Sequence, residues 1–189
     1  SDVQKILTDL GSEEQWLMLG SAPRGKSVPQ LHTFYQNRQL QEGDFFMIMI
    51  EVNGPGGYYA EITRTFCLSE PTQDLLDAWD LAKQAQKLIA GKCKPGANPS
   101  ALLEDFNAFL ASHGYPPEGR LFAHGQGYDL IERPAFVPGE TMLLKENMFL
   151  AIHPMVDSDN YHTMCCDNFL VTKDGAEMLY KTPQEIFVV

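Results

Sequence analysis

One contiguous block, residues 45–68, constrains this chain more than any other. FFMIMIEVN (45–53) is an apolar run broken only near its end by Glu51, NGPGG (53–57) is a turn sequence, and YYAEITRTFCL (58–68) is rich in aromatic and β-branched residues. Two such runs around a glycine-proline turn predict a β-hairpin. The first arm does not alternate between apolar and polar residues, so it reads as a strand buried on both faces.

The rest of the chain adds helices after this hairpin and strands after the helices. Residues 72–91 place Leu75, Leu76, Trp79, Ala82, Leu88 and Ile89 on one helical stripe behind Thr72, a suitable N-cap. KPGANPS is a loop, and residues 100–113 form a second helix with Leu102, Leu103, Phe106, Phe109 and Leu110 inward, closed by His113-Gly114. AHGQGYDLIERP (123–134) is punctuated by glycine, NMFLAIHPMV (147–156) and DNFLVT (167–172) are strands, and Lys173-Asp174-Gly175 turns the chain before EMLY. Ahead of the hairpin, residues 2–10 read as a helix, Trp16–Leu19 as a short strand and 20–30 as a loop. Strands, two helices and strands again, with no Pro/Ser-rich linker, predict one α+β domain over 1–189. The chain opens on Ser rather than Met, so upstream residues are expected to be missing.

Charge and cysteine content narrow the partners. Fourteen basic residues face 25 acidic ones, for a net charge of −11, and no basic cluster occurs. Phosphate-backbone binding needs concentrated Lys and Arg, so neither nucleic acid nor an anionic membrane is an expected partner. No apolar run approaches the roughly 18 residues of a bilayer span. The four cysteines include an adjacent pair, Cys165-Cys166, and no C-x-x-C. This usage, with no signal peptide, reads as a reducing, cytoplasmic setting.

Several polar residues sit inside apolar strand sequence: Glu51 after FFMIMI, Glu61 in YYAEITRTF, His124 before Gly125-Gln126-Gly127, His153 after FLAI, and Cys166-Asp167 before NFLVT. Burying such groups is costly unless they are paired, hydrogen-bonded or used, so together they point to a shared polar cavity. Each also has a plain structural reading. Arg64, three residues on, must face the other way and cannot pair with Glu61, which could still lie on a solvated face. His124 could be a turn residue, His153-Pro154 a strand end, and Cys165-Cys166 core packing.

These residues fall in a pattern that resembles a known superfamily. H-x5-R-x-L-x2-G-D (His32–Asp44), the apolar strand, G-Y-Y-A-E-I-T-R-T-F (57–66), K-P-G (94–96), H-G-x-G (124–127), the strand ending at Pro154, and D-x-x-L-V-T-x-D-G (167–175) are similar to the pita-bread superfamily of creatinase, aminopeptidase P, prolidase and methionine aminopeptidase. The resemblance implies the α+β pita-bread fold, a curved antiparallel sheet with helices on its outer face, and a homodimer. In the superfamily's metallopeptidases two metals are held by Asp, Asp, His, Glu and Glu. Carried over by position, the first ligand falls on Met49 or, allowing a one-residue shift in the hairpin, Glu51. The others fall on Glu61, His124, His153 and Cys166. A further family histidine falls on Ile131, with Glu132 and Pro134 after it, and His32 matches a histidine near the substrate pocket.

One of five ligands is thus unchanged, and two bridging carboxylates have become His and Cys. Imidazole cannot bridge two ions as a carboxylate does, so the dinuclear site is expected to be lost. The first expectation is therefore a creatinase-like hydrolase or lyase that needs no metal or other cofactor and acts on a small polar amide, amidine or amino-acid derivative. His124 would be its general acid/base, Glu61 would orient it or activate water, and His153 would bind an anionic group or share the proton. His32, Glu51, Glu132 and Cys166 would line the pocket. The second is an Xaa-Pro aminopeptidase or dipeptidase relative with one metal on Glu61, His124, His153 and Cys166, ligands that suit zinc or iron. The third is a non-catalytic module that binds peptides.

Overall fold

A computed structural model describes residues 2–28 and 38–189 of the chain. The expected hairpin is its centre. Strands β1 (Gln15–Pro23), β2 (Asp44–Asn53) and β3 (Tyr59–Cys67) pair antiparallel in that order, and a short C-terminal strand, β11 (Phe187–Val188), runs parallel to β3 at the edge. β2 is buried along almost its whole length, as an apolar run without alternation requires. β1 extends to Pro23, so the segment read as a loop from residue 20 begins as strand. It pairs with β2 along its full length, and cross-strand pairing overrides the local Gly and Pro content.

The two helices stand where the periodicity put them. α1 (Asp2–Asp9) precedes the sheet. α2 (Gln73–Lys92) is capped by the Thr72 hydroxyl, which accepts from the Leu75 amide, and α3 (Pro99–Ser112) by the Asn98 side chain. Their apolar faces meet the second sheet. Ile89, Leu103, Phe106 and Leu110 pack with Phe122, Leu150, Ile152 and Val171 in the main core. Phe106 and Phe122 are fully buried with ring centroids 4.2 Å apart, and truncating such a residue to Ala costs about 3–5 kcal/mol.

The second sheet has the order β10-β9-β6-β4-β5, from β4 (Ala123–Gly125), β5 (Glu132–Ala135), β6 (Phe149–Ile152), β9 (Asp167–Val171) and β10 (Ala176–Met178). The single strand expected over 147–156 is two. It breaks at His153-Pro154, after which β7 (Met155–Ser158) pairs with β8 (Tyr161–Met164) as a separate ribbon. Proline has no amide hydrogen to donate, which ends the ladder there. A bridge between Thr63 and Cys166 joins β3 to the segment entering β9, bringing the sheets' polar residues together.

All four cysteines are free and buried. No helix among the described residues is long and apolar enough to cross a membrane.

Candidate functional site

Register builds the site. Glu51 on β2 lies directly opposite Glu61 on β3, while Met49 lies opposite Thr63. The position facing Glu61 is therefore Glu51, not Met49. Cross-strand partners share a face, so both carboxylates point the same way. Glu61 is 1% exposed, which excludes the solvated-face reading, and Arg64 faces away from it to pair with Asp167. His124 lies on β4 and is buried, not a surface turn residue. His153 stands at the break after β6, also buried.

These side chains converge on Glu61. His124 Nε2 lies 3.7 Å from Glu61 Oε2, and His153 Nε2 lies 3.7 Å from Glu61 Oε1. The two imidazole rings meet edge to face with centroids 5.3 Å apart. The Cys166 thiol donates to Glu61 Oε1 at 3.0 Å, and Gln126 Nε2 donates to Oε2 at 2.9 Å. Both adjacent cysteines are packed in the core, as expected, but only Cys166 also touches Glu61; Cys165 packs elsewhere. Its sulfur lies 3.6 Å from the Gln86 side chain, on the side away from Glu61.

A supporting layer was not foreseen from the sequence. The Glu61 amide donates to Asn168 Oδ1 at 2.7 Å, Asn168 Nδ2 donates to Gln126 Oε1 at 2.8 Å, and the Tyr180 hydroxyl donates to Asn168 Oδ1 at 2.6 Å. The signal was present: Gln126 sits between two glycines and Asn168 inside an apolar strand, the same criterion that singled out Glu61. The glycines have steric reasons. A Cβ at Gly125 would lie 2.7 Å from the Arg133 carbonyl, and one at Gly127 would lie 2.7 Å from the Glu132 carboxylate. Glu132 itself accepts from the Asp129 amide and holds this turn, outside the converging group. His32, expected near the pocket, lies outside the described residues.

Burial shifts the ionisable groups. It raises the Glu61 carboxyl against the opposing pull of His124, Cys166 and Gln126. Burial and the charge of Glu61 push Glu51 up to about 8. Burial drives His153 well below the ordinary histidine value, aided by His124 and Arg120, so its ring is neutral. Burial and Glu61 raise Cys166, keeping it a thiol and not a nucleophilic thiolate.

The donor set fits a cation. One ligand atom each from Glu61, His124 and His153 lies within 4.8 Å of the others. His124 Nδ1 is 2.8 Å from the Gly125 carbonyl, an acceptor only, so Nδ1 carries a proton and Nε2 is the nitrogen turned toward Glu61. This is how a metal-binding imidazole is oriented by its other nitrogen. Both Nε2 atoms are too far from the carboxylate for hydrogen bonds. Two imidazole nitrogens and a carboxylate oxygen, with a sulfur beside them, are donor types that suit a single zinc or iron ion. Glu51 is not part of that tight group, and no set of bridging carboxylates surrounds it among the described residues.

Known proteins share the sequence pattern and the fold of this chain. The model of metallopeptidase family M24 matches residues 6–173. The probable dipeptidase PepE of Mycobacterium tuberculosis is 27% identical over 188 residues, which cover 98% of this chain and 49% of that protein. The Xaa-Pro dipeptidase of Pyrococcus horikoshii is 26% identical over 161 residues, 82% of this chain and 44% of that protein. Dipeptidase PepE from Mycobacterium ulcerans superposes with a TM-score of 0.86 at 26% identity, over 100% of this chain and 51% of that one. X-Pro aminopeptidase from Thermotoga maritima superposes at 0.87 with 22% identity, over 99% of this chain and 53% of that one, a likeness of fold. The pita-bread fold is thus the observed one. The chain spans about half the length of the curated relatives it matches. These relatives favour the metal-dependent peptidase expectation over the metal-free creatinase-like one.

Proposed function

This chain belongs to metallopeptidase family M24, and on that premise we propose that it carries the hydrolytic centre of a metal-dependent dipeptidase relative with a rebuilt one-metal site. Glu61, His124 and His153 would hold a divalent ion, with Cys166 as fourth donor once its thiol proton leaves. The ion, when bound, supplies Lewis-acid polarisation of the scissile carbonyl and eases water ionisation. The convergence of Glu61, His124 and His153 carries this reading.

The chain's own residues have separable tasks. Gln126 and Asn168 fix Glu61 through its carboxylate and its amide. The Gly125 carbonyl fixes the His124 tautomer. Glu51, with a pKa of about 8, exchanges its proton near neutral pH and is placed beside Glu61 to take and return one. Exposed Ile131 stands where the resemblance implies a histidine, so no imidazole polarises the substrate from that position. A homodimer acting on short peptides in the cytoplasm completes the proposal.

Elemental analysis of the purified protein, followed by a dipeptide hydrolysis assay, tests it. About one equivalent of zinc, iron or manganese is expected. Chelation should remove metal and activity together, re-addition should restore both, and His124→Ala should lose both. Undiminished turnover by metal-free protein would return the site to acid/base chemistry by His124 and Glu61. Peptide binding with neither metal nor turnover would make the chain a binding module.

A further inference from the structure

A cavity of about 270 Å³ has four methionines in its walls. They form two cross-strand pairs. Met18 on β1 lies opposite Met49 on β2, and Met155 on β7 lies opposite Met164 on β8. Met49 stands two residues from Glu51 on the same strand, so the methionine row lies on the carboxylates' sheet face, displaced roughly 7 Å along it. Met49 and Met164 also pack against Cys166, whose sulfur contacts Glu61. Two wall methionines thus separate the cavity from the candidate metal group by one layer of side chains.

Its polar wall is sparse. Arg120 lines the cavity, with its side chain 36% exposed, its Nε 3.6 Å from Glu118 and its Nη2 3.5 Å from the Met164 sulfur. Its charge is felt at both Glu61 and His153. His162 also lines it; its Nδ1 lies 3.3 Å from Asp157, a further wall residue, and its buried Nε2 has no hydrogen-bond partner among the described residues.

We infer that this cavity selects a short peptide whose free C-terminal residue carries a flexible apolar side chain such as Leu or Met, with Arg120 clamping its carboxylate. Methionine is unbranched and polarisable, so four of them form a wall that reshapes around several apolar side chains. Arg offers a planar fork matched to a carboxylate. The volume lies below the ~300–1,000 Å³ of sites for drug-sized ligands and suits one amino-acid side chain with its carboxylate. This inference rests on the peptide-hydrolase proposal and names the substrate class of the same site.

The test uses acetyl-leucine, acetylglycine and acetyl-leucinamide, with binding to metal-loaded protein followed by ligand-observed NMR, beside kcat/KM for Ala-Leu and Ala-Gly. Acetyl-leucine should bind about 10- to 100-fold more tightly than acetylglycine, the yield of burying one Leu side chain. It should also bind at least about tenfold more tightly than its neutral amide. Arg120→Gln, a change in a partly exposed loop, should erase the acid-over-amide difference and keep the leucine-over-glycine one. Equal binding of the three probes, or an acid preference that survives in Arg120→Gln, overturns the inference. The acid–amide comparison in unmutated protein needs no variant to fold. Equal kcat/KM for the two dipeptides overturns the pocket alone, whereas the full binding pattern without any hydrolysis overturns the hydrolase reading alone.

Discussion

Two buried polar clusters occupy opposite faces of β3, and they are built on opposite principles. On one face Arg64 donates to Asp167 at 2.7 Å, to the Pro183 and Thr182 carbonyls, and to the Thr63 and Cys166 carbonyls. The second Asp167 oxygen accepts from Gln86 and Gln184. Charge meets charge and the remaining polar atoms find partners, which a buried ion pair requires. On the other face Glu61 meets two imidazoles across 3.7 Å gaps, and His153 Nδ1 has no partner among the described residues. The first cluster holds sheets and helices together. The second keeps the imidazole nitrogens and the carboxylate close but unjoined, as the proposed metal site requires. Adjacent residues divide between them: Cys165 touches the Asp167 cluster and Cys166 touches Glu61.

Asp167→Ala should break this comparison most severely. It leaves Arg64 buried without its partner, and the expected loss is about 3–5 kcal/mol in urea unfolding. Glu61→Gln should show the opposite profile. The apparent Kd for zinc should rise by about 100-fold or more, while metal-free protein unfolds at no lower urea concentration, because a neutral amide is easier to bury than the carboxylate. A stability loss like that of Asp167→Ala would make Glu61 a structural group as well.

Glu51 sharpens the same contrast through pH. Its folded carboxyl titrates near 8 and its unfolded one near 4.5, so between these values the folded state holds a proton that the unfolded chain has released. The stability it contributes is complete below about pH 4.5 and is lost as pH rises through about 8. In metal-free protein the unfolding free energy should therefore fall across this window, and Glu51→Gln should flatten the decline. An unchanged slope would place the proton elsewhere. The smallest effect is expected from the adjacent cysteines. Cys165→Ala should cost about 1 kcal/mol and leave zinc affinity alone, and Cys166→Ala should weaken zinc with little change in unfolding. Equal effects of both would dissolve the division between the faces.

Much of the fold was legible because its signals are local. The hairpin over 45–68 needed only an apolar run, a glycine turn and a β-branched run. The Thr72 cap and the two helices needed only a 3.6-residue period. The break at His153-Pro154 was missed because FLAI and MV on either side read as one apolar run, although the proline that ends the ladder was in view. β8 was missed because YHTM has no apolar repeat; it is a strand only through pairing with β7. The site was legible as a set of polar residues stranded in apolar sequence, and Glu61, His124, His153 and Cys166 do converge.

The sequence by itself determined which segments become strands and helices, and which polar groups must be buried, because backbone preference and hydrophobic period act over a few residues. It could not determine which buried groups meet. Arg64 finds Asp167 across 103 positions, and Cys166 finds Glu61 across 105. Such contacts follow from strand register and sheet packing, where a shift of one residue turns every side chain to the other face. Tertiary structure alone chose Glu51 over Met49 opposite Glu61, parted Cys165 from Cys166, and set Arg120 and two methionine pairs around one cavity.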